Sequence, residues 1–160
     1  MPRLTALALL LVLAACAAPG AFRDTRTPIF SAAAFDPAAI TGDWTQAAAF
    51  LPPGAACRAG QVQIAPGRID GRLCVPGGDT ALAGPLVPVG PGRLRPPQGP
   101  VWWVIWADTD LRTLAIGTPD GSFGTILVRR GGLSDDRLRA AAEIFDFNGY
   151  DTARLTRQSP

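Results

Sequence analysis

The chain has no histidine and no lysine, and Glu143 is its only glutamate. Without histidine, the sequence cannot supply a Ser-His-Asp or Cys-His catalytic set, an imidazole metal ligand or an imidazole proton shuttle. Without lysine, it cannot supply a Schiff-base amine or the lysine of a phosphate-binding loop. The remaining carboxylates, hydroxyl groups and Tyr150 show no spacing that joins a nucleophile to a base, so we predict neither an enzyme nor a metal or cofactor site.

Charge and composition also bear on the partner and the fold class. The 160 residues carry a formal net charge of +2, from 15 basic residues that are all arginine and 13 acidic ones. This charge is too small to indicate a nucleic-acid partner. Apolar residues make up 48% of the chain, which is enough to bury the core of one domain. The 18 glycines and 16 prolines favour turns and short strands over a helical bundle.

The N-terminus contains a short apolar segment that ends in a cysteine. Arg3 precedes an apolar run at 7–13, which is much shorter than the about 20 residues that a membrane-spanning helix needs. Leu-Ala-Ala stands directly before Cys16 and resembles the lipobox of bacterial lipoproteins. The resemblance implies that residues 1–15 are a signal peptide and that Cys16 becomes the acylated first residue. The alternative is a secreted protein with a chance cysteine at the end of its signal.

The residues that follow indicate where such an anchor would lie. Ala17 occupies the position at which lipoproteins of the inner membrane usually carry aspartate, so the resemblance implies a lipid anchor in the outer membrane, facing the periplasm. Residues 16–34 have no clear hydrophobic period, and we predict a tether. We therefore expect the folded domain to span residues 35–160.

Cys57 and Cys74 are the two other cysteines. In an oxidising compartment an isolated pair of this kind is expected to form a disulfide. Polar and apolar residues alternate over 61–64, and the turn sequence Ala-Pro-Gly follows at 65–67. A hairpin that turns there brings the two cysteines opposite each other, within disulfide reach. A redox-active pair is the weaker alternative, because the CxxC spacing is missing.

Further strands are indicated along the rest of the chain. We predict strands within 40–50, 101–107, 111–117 and 123–129. The Pro- and Gly-rich stretch 79–99 allows only short or irregular strands, because proline removes a hydrogen-bond donor from the ladder. The run 101–107 is apolar at nearly every position, so both faces of this strand must be covered.

A helix is predicted to supply one of those covers. Ser134 is a good N-cap, and Leu138, Ala141, Ala142 and Phe145 form an apolar stripe at helical spacing. Asn-Gly at 148–149 ends the helix, and a short terminal segment follows. The expected fold is all-β: an up-and-down antiparallel barrel with one α-helix packed outside near the C-terminus.

Three short motifs in this order resemble those of the lipocalins. Gly42-Asp43-Trp44 resembles the Gly-x-Trp of the lipocalin opening strand, and Arg129 at the end of 126–129 resembles the arginine of the third motif. Between them, 104–111 resembles the second motif, with leucine where tyrosine is usual at its end. The stretch 117–155 is similar to bacterial outer-membrane lipocalins in particular. The resemblance covers about residues 35–157 but contains no motif between 50 and 100, so a shortened or partly open barrel is an alternative.

The resemblance implies a role for each set of motif residues. Gly42, Trp44 and Arg129 would close one end of the barrel, as structural residues. The family's strand register implies that the ligand cavity is lined by Trp102, Val104, Trp106, Ala115, Phe123 and Leu127. The two inward tryptophans leave two alternatives, an open cavity and a core that they fill.

These observations predict a binding protein. Its ligand would be a small hydrophobic molecule, a fatty acid or lysophospholipid, held in the periplasm by a protein anchored to the membrane through Cys16. The alternative is an envelope lipoprotein with a filled core that acts through protein–protein interaction. We assign the carboxylate pairs Asp108 with Asp110 and Asp135 with Asp136 to turn and capping roles. The sequence does not fix the oligomeric state.

Overall fold

The computed structural model describes residues 21–55, 57–130 and 132–159, so the predicted signal peptide and Cys16 lie outside the described residues. The described chain contains ten strands and one α-helix: β1 (Gly42–Phe50), β2 (Gln61–Ala65), β3 (Arg68–Val75), β4 (Gly78–Pro85), β5 (Val87–Gly90), β6 (Arg93–Arg95), β7 (Trp102–Ala107), β8 (Thr113–Gly117), β9 (Gly124–Val128), α1 (Asp135–Phe147) and β10 (Leu155–Arg157). Over these residues, no helix has the length and apolar character needed to span a membrane.

Nine of the strands form one antiparallel sheet that curls into a nearly closed barrel. Their order is β4-β3-β2-β1-β9-β8-β7-β6-β5, so β1 joins the first hairpins to the last long strand. The tenth strand, β10, pairs with the end of β1. The prediction of an up-and-down barrel with a helix outside is therefore confirmed.

The Pro-rich stretch closes the barrel through one bent strand. β4 pairs with β3 and β5 pairs with β6, and only Leu86 separates β4 from β5. Because each successive pairing is antiparallel, β4 and β5 run in the same direction, as two halves of one strand. The Leu86 amide donates to the Gly67 carbonyl at the bend. The expectation of only short or irregular strands over 79–99 is therefore wrong for β4, which is eight residues long and pairs with β3 along its whole length, since its one proline stands at its end.

Alternating side chains fill the interior of the barrel. In β2, Val62 and Ile64 are buried and Gln61, Gln63 and Ala65 are exposed, as the alternation in the sequence predicts. The interior cluster consists of Ile40, Trp44, Val62, Ile64, Ile69, Leu73, Leu82, Leu86, Leu94, Trp102, Val104, Leu114, Ile116, Phe123 and Leu127.

A second apolar cluster lies outside the barrel, under α1. All five residues of β8 and all five of β9 are buried, because the interior covers one face and the outer cluster, to which α1 contributes Ala141 and Phe145, covers the other. The Ser134 hydroxyl accepts from the Arg137 amide and caps α1, and Ala141 and Phe145 are its buried residues. The predicted helix, its cap and its covering role are thus present in the structure.

The chain before the barrel is more ordered than the predicted tether. The expectation was a tether over 16–34, whereas residues 21–34 lie along the outside of the barrel. Phe22 is buried, and the Ala32 amide donates to the Val104 carbonyl over 2.8 Å. The segment then enters a short 3₁₀ helix, Pro37–Ile40, which leads into β1. Isolated apolar residues and backbone hydrogen bonds hold this segment, and neither produces a hydrophobic period.

Candidate functional site

Trp44 and Arg129 meet at one end of the barrel, called here the closed end. Trp44 is 1% exposed, and its indole Nε1 donates to the Ile40 carbonyl over 2.8 Å. The Arg129 guanidinium carbon lies 4.4 Å from the centroid of the indole ring. Gly42 has φ of 125°, and a Cβ there would lie 2.7 Å from Arg129 Nη1. Gly42 and Trp44 therefore both lie against Arg129, as predicted for residues that close the barrel.

The arginine also ties separate segments together at the closed end. Its three nitrogens donate to the carbonyls of Leu111, Thr41 and Ala39 over 2.9, 3.0 and 3.0 Å. The last two carbonyls belong to the segment around the 3₁₀ helix, and Leu111 belongs to the β7–β8 loop. One guanidinium thus satisfies three backbone acceptors, which lysine could not do with the same planar geometry.

The opposite end of the barrel, called here the mouth, contains an apolar cavity of about 350 Å³. Leu73 and Val75 of β3 and Leu82 of β4 form one wall, and Trp102 and Phe123 form the other. We call this cavity the mouth cleft. Its full lining is Leu73, Val75, Pro76, Gly77, Thr80, Leu82, Gln98, Gly99, Pro100, Trp102, Ser122 and Phe123.

The lining of the mouth cleft suits an apolar ligand. The Trp102 and Phe123 rings are stacked, with centroids 5.8 Å apart and an interplanar angle of 12°. The lining residues include no ionisable side chain, and their polar side chains are Thr80, Gln98 and Ser122. A ligand in the cleft would therefore meet apolar walls and a few neutral hydrogen-bonding groups.

Two of the predicted lining residues lie deeper, where the barrel is filled. Val104 and Leu127 belong to the interior cluster, and neither has accessible surface. Leu114 and Ile116 beside them are at most 1% exposed. A void the size of a water molecule would give these side chains accessible surface, so the interior is packed around these four residues. The two alternatives from the sequence both apply in part, because the core is filled around Val104 and Leu127 and space is open at the mouth. A second cavity of about 470 Å³ lies at the closed end, between the 3₁₀ helix and the β2–β3 turn.

Trp106 and Ala115 were expected to face inward, but the structure places both in the cluster outside the barrel. The pairing of β7 with β8 shifts between Val104 and Trp106, because a β-bulge puts two residues of β7 opposite one of β8. Beyond this bulge the alternation of β7 is reversed, and Ala107 packs against the interior.

The register of β8 also differs from the one carried over from the family. Leu114 and Ile116 face inward, and Ala115 packs outward. Gly117 also faces out, where a Cβ would lie 2.7 Å from the Tyr150 hydroxyl oxygen. Because residues 113–117 are buried on both faces, their apolar sequence gives no sign of which set points inward.

The predicted disulfide lies on the outer side of the β3 wall of the mouth cleft and supports that wall. Cys57 and Cys74 are bonded, with their Cα atoms 5.7 Å apart. Leu73 and Val75, on either side of Cys74, point into the cleft. Beside the bond, the fully buried Gln46 side chain donates to the Cys74 carbonyl and accepts from its amide, both over 2.8 Å. This side chain holds β1 to β3 where β2 no longer lies between them.

Tyr150 holds the loop that forms the opposite rim, a role that the sequence did not indicate. Its hydroxyl accepts from the Thr118 amide over 2.7 Å and lies 2.8 Å from the Phe123 carbonyl oxygen, to which it can donate. Burial raises the pKa of this phenol above its usual 10.0, while hydrogen bonds from Thr118 act in the opposite direction. The only signal in the sequence was that the chain contains a single tyrosine.

Three of the four paired carboxylates, Asp108, Asp135 and Asp136, take the local roles predicted for them. Asp108 accepts from the amides of Arg112 and Thr113 over 2.6 and 2.8 Å, which caps the β7–β8 turn. Asp135 and Asp136 lie in the first turn of α1, and each forms an ion pair with an arginine on the surface.

Comparison with known proteins identifies the fold. No protein-family model matches the sequence, and no curated protein matches it. Among solved structures, the chain is similar to insecticyanin from the tobacco hornworm Manduca sexta, with a TM-score of 0.57 and 13% identity over 88% of this chain and 87% of that one. It is also similar to lobster apocrustacyanin A1, with a TM-score of 0.52 and 18% identity over 78% of this chain and 81% of that one.

A cockroach allergen, Per a 4, gives a TM-score of 0.56 and 11% identity over 85% of this chain and 96% of that one. These proteins are lipocalins, and the chain therefore has a lipocalin fold.

Proposed function

We propose that the protein binds one small hydrophobic molecule, of the fatty-acid or lysophospholipid class, in the mouth cleft. The observation that carries this proposal is the apolar cavity of about 350 Å³ beside the stacked Trp102 and Phe123. Ligand sites for small molecules have volumes of about 300–1,000 Å³, so this cleft suits a single chain or a compact ring system. The lipocalin fold supports the proposal, because such barrels hold one small ligand in the barrel interior.

The lining favours an amphiphile that enters with its apolar end first. Leu73, Val75 and Leu82 would contact the apolar part, while Gln98 and Ser122 at the rim offer neutral hydrogen-bonding groups to a polar head. Each buried methylene contributes about 0.8 kcal/mol, so affinity should rise with acyl-chain length. Because the barrel is packed below the cleft, this gain should end once the cleft is full.

We further propose that the protein acts as a lipoprotein of the outer membrane, facing the periplasm. The support is the Leu-Ala-Ala sequence before Cys16 and the alanine after it. Mass spectrometry of the membrane-extracted protein should find acyl groups on the residue at position 16. Replacing Cys16→Ser should release the protein from the membrane fraction.

The test of ligand binding uses the soluble domain, residues 17–160, with its disulfide formed. After delipidation, it is titrated with fatty acids of increasing length and with a lysophospholipid, and tryptophan fluorescence is recorded. We expect a saturable one-to-one change, reported mainly by Trp102. A folded domain that shows no saturable change would contradict the proposal.

Two substitutions distinguish the mouth cleft from the rest of the barrel. Val75→Trp fills the cleft and should abolish binding, because Val75 lines the cavity and is only partly buried. Trp106→Phe changes an indole outside the barrel and should leave the dissociation constant unchanged. Equal affinity in Val75→Trp and the unsubstituted domain would mean that the ligand binds elsewhere.

The second candidate is an envelope lipoprotein that acts through a protein partner. The observation in its favour is the packed part of the interior, where Val104 and Leu127 have no accessible surface. Cross-linking in cells would distinguish the two candidates. A specific protein adduct, together with no lipid binding by the purified domain, would favour this one.

A further inference from the structure

The described chain begins at the mouth of the barrel. The Phe22 amide donates to the Gly121 carbonyl over 2.7 Å, and the Asp151 amide donates to the Phe22 carbonyl over 2.8 Å. The Phe22 ring is 1% exposed and packs against Phe50, with the ring centroids 5.9 Å apart. Ser122, the residue after Gly121, lines the mouth cleft. Phe22 is therefore fastened to the loop that forms one rim of the cleft.

Arg23 strengthens this attachment. Only 6% of it is exposed, and its Nε donates to the Asn148 carbonyl over 3.0 Å. Its two terminal nitrogens donate to the carbonyls of Pro119, in the same rim loop, and of Thr27. The segment is thus held at the mouth by side-chain and backbone contacts together.

The length of chain before this attachment point is short. Five residues separate Cys16 from Phe22, and six Cα–Cα steps span at most about 20 Å. Acyl chains on Cys16 would therefore keep the rim of the mouth within roughly that distance of the lipid headgroups. The closed end lies at the other end of the strands, away from this attachment.

Two exposed aromatic side chains lie at the same end. Phe30 is 57% exposed and Phe147 is 68% exposed, and their ring centroids are 6.3 Å apart. Asn148, the residue after Phe147, accepts from Arg23 through its backbone carbonyl and from the Phe30 amide through Oδ1. This aromatic pair is costly to leave in water, and it matches the apolar side chains by which proteins enter a lipid interface.

We propose that the anchor on Cys16 holds the barrel with its mouth toward the membrane, so that a membrane-derived amphiphile passes directly between the bilayer and the mouth cleft. The occupant of the surface formed by Phe30 and Phe147 is the lipid headgroup layer. This inference rests on the lipidation and ligand binding proposed above.

The test compares the two ends of the full, acylated chain in vesicles of phosphatidylethanolamine and phosphatidylglycerol. A fluorophore is attached at Ser122→Cys, on the exposed rim of the mouth, or at Pro66→Cys, in the exposed β2–β3 turn at the other end. A quencher is attached to the lipid headgroups. We expect quenching several-fold stronger at position 122 than at position 66.

A matched variant carries a long Gly-Ser insertion between residues 19 and 20. It keeps the anchor and the barrel but removes the distance limit, so the difference between the two labels should shrink. Equal quenching at positions 122 and 66 without the insertion, or stronger quenching at 66, would overturn the proposal. So would the absence of acyl groups from Cys16.

The ligand titration of the soluble domain separates this inference from the proposed function. Saturable binding in solution with equal quenching of the two labels would refute only the orientation. Stronger quenching at position 122 in a protein whose soluble domain binds no lipid would refute ligand transfer, and with it the proposal as stated.

Discussion

The two ends of the barrel are held together in different ways. At the closed end, Trp44 fills the interior, and Arg129 reaches from the barrel wall to three backbone carbonyls. At the mouth, the Cys57–Cys74 bond and Tyr150 brace the two rims from outside the cavity. The space inside a small barrel therefore depends on where the side chains that hold its ends together lie. Trp44 occupies interior space at the closed end, whereas the disulfide and Tyr150 hold the rims of the mouth from outside and leave room between them.

The largest expected effect is at the closed end. Trp44→Ala removes a fully buried indole and should lower the free energy of unfolding by about 4 kcal/mol. Affinity for ligand at the mouth should change little where the variant is still folded. Urea denaturation followed by circular dichroism measures the free energy of unfolding, and titration with a fluorescent lipid measures the ligand affinity. Trp106→Ala, which removes a partly exposed indole, is the matched control and should cost less. Equal costs would remove the distinction between the two positions.

The disulfide tests the mouth. It joins residues 17 apart, and removing it with Cys57→Ala and Cys74→Ala should lower the free energy of unfolding by about 3 kcal/mol. Ligand affinity should fall as well, because Leu73 and Val75 flank Cys74. Urea titration and lipid titration of the double variant measure both effects. A variant with lower stability but the same affinity would show that the bond does not shape the cleft.

Tyr150→Phe is expected to have a smaller effect on stability. It leaves the buried Thr118 amide without its acceptor, at a cost of about 1–2 kcal/mol. Hydrogen exchange should accelerate at that amide more than in β1 or β2, and lipid affinity should fall. Exchange that accelerates evenly along the chain would mean that the hydroxyl supports the whole fold and not the rim alone.

The smallest effect concerns pH. Burial raises the pKa of Tyr150 above 10.0, so the folded state holds this proton more tightly than the unfolded state. The corresponding stability is fully present below pH 10 and should decline as the pH rises through the raised pKa. Urea midpoints measured from pH 9 upward should therefore fall more steeply for the unsubstituted protein than for Tyr150→Phe. Parallel slopes would contradict this assignment.

The closed end could be predicted from the sequence because its residues are distinctive. Gly42, Trp44 and Arg129 were assigned through the resemblance of their short motifs to those of the lipocalins. The helix could be predicted from its own residues, since Ser134 and the apolar stripe from Leu138 combine capping with a helical period. The disulfide could also be predicted, because the hairpin turn at 65–67 places Cys57 opposite Cys74, and the structure confirms the bond.

The mouth was only half predicted: Trp102 and Phe123 were assigned to its lining, but the opposite wall comes from β3 and β4, which contain no motif. Leu73, Val75 and Leu82 were missed, although Cys74 was already placed in a disulfide and its two neighbours had to share the opposite face. Trp106 was assigned inward because residues 101–107 are apolar on both faces, which conceals the β-bulge. A strand that is covered on both sides gives no alternation from which its register can be read.

The bent strand formed by β4 and β5 has a mechanical consequence. Around most of the circumference, neighbouring strands are joined by ladders of hydrogen bonds, but at Leu86 the covalent chain itself makes the join. Cutting one peptide bond there would leave each half paired with its own neighbour. The barrel could then unroll at this point into an open sheet while every backbone hydrogen bond between paired strands is kept.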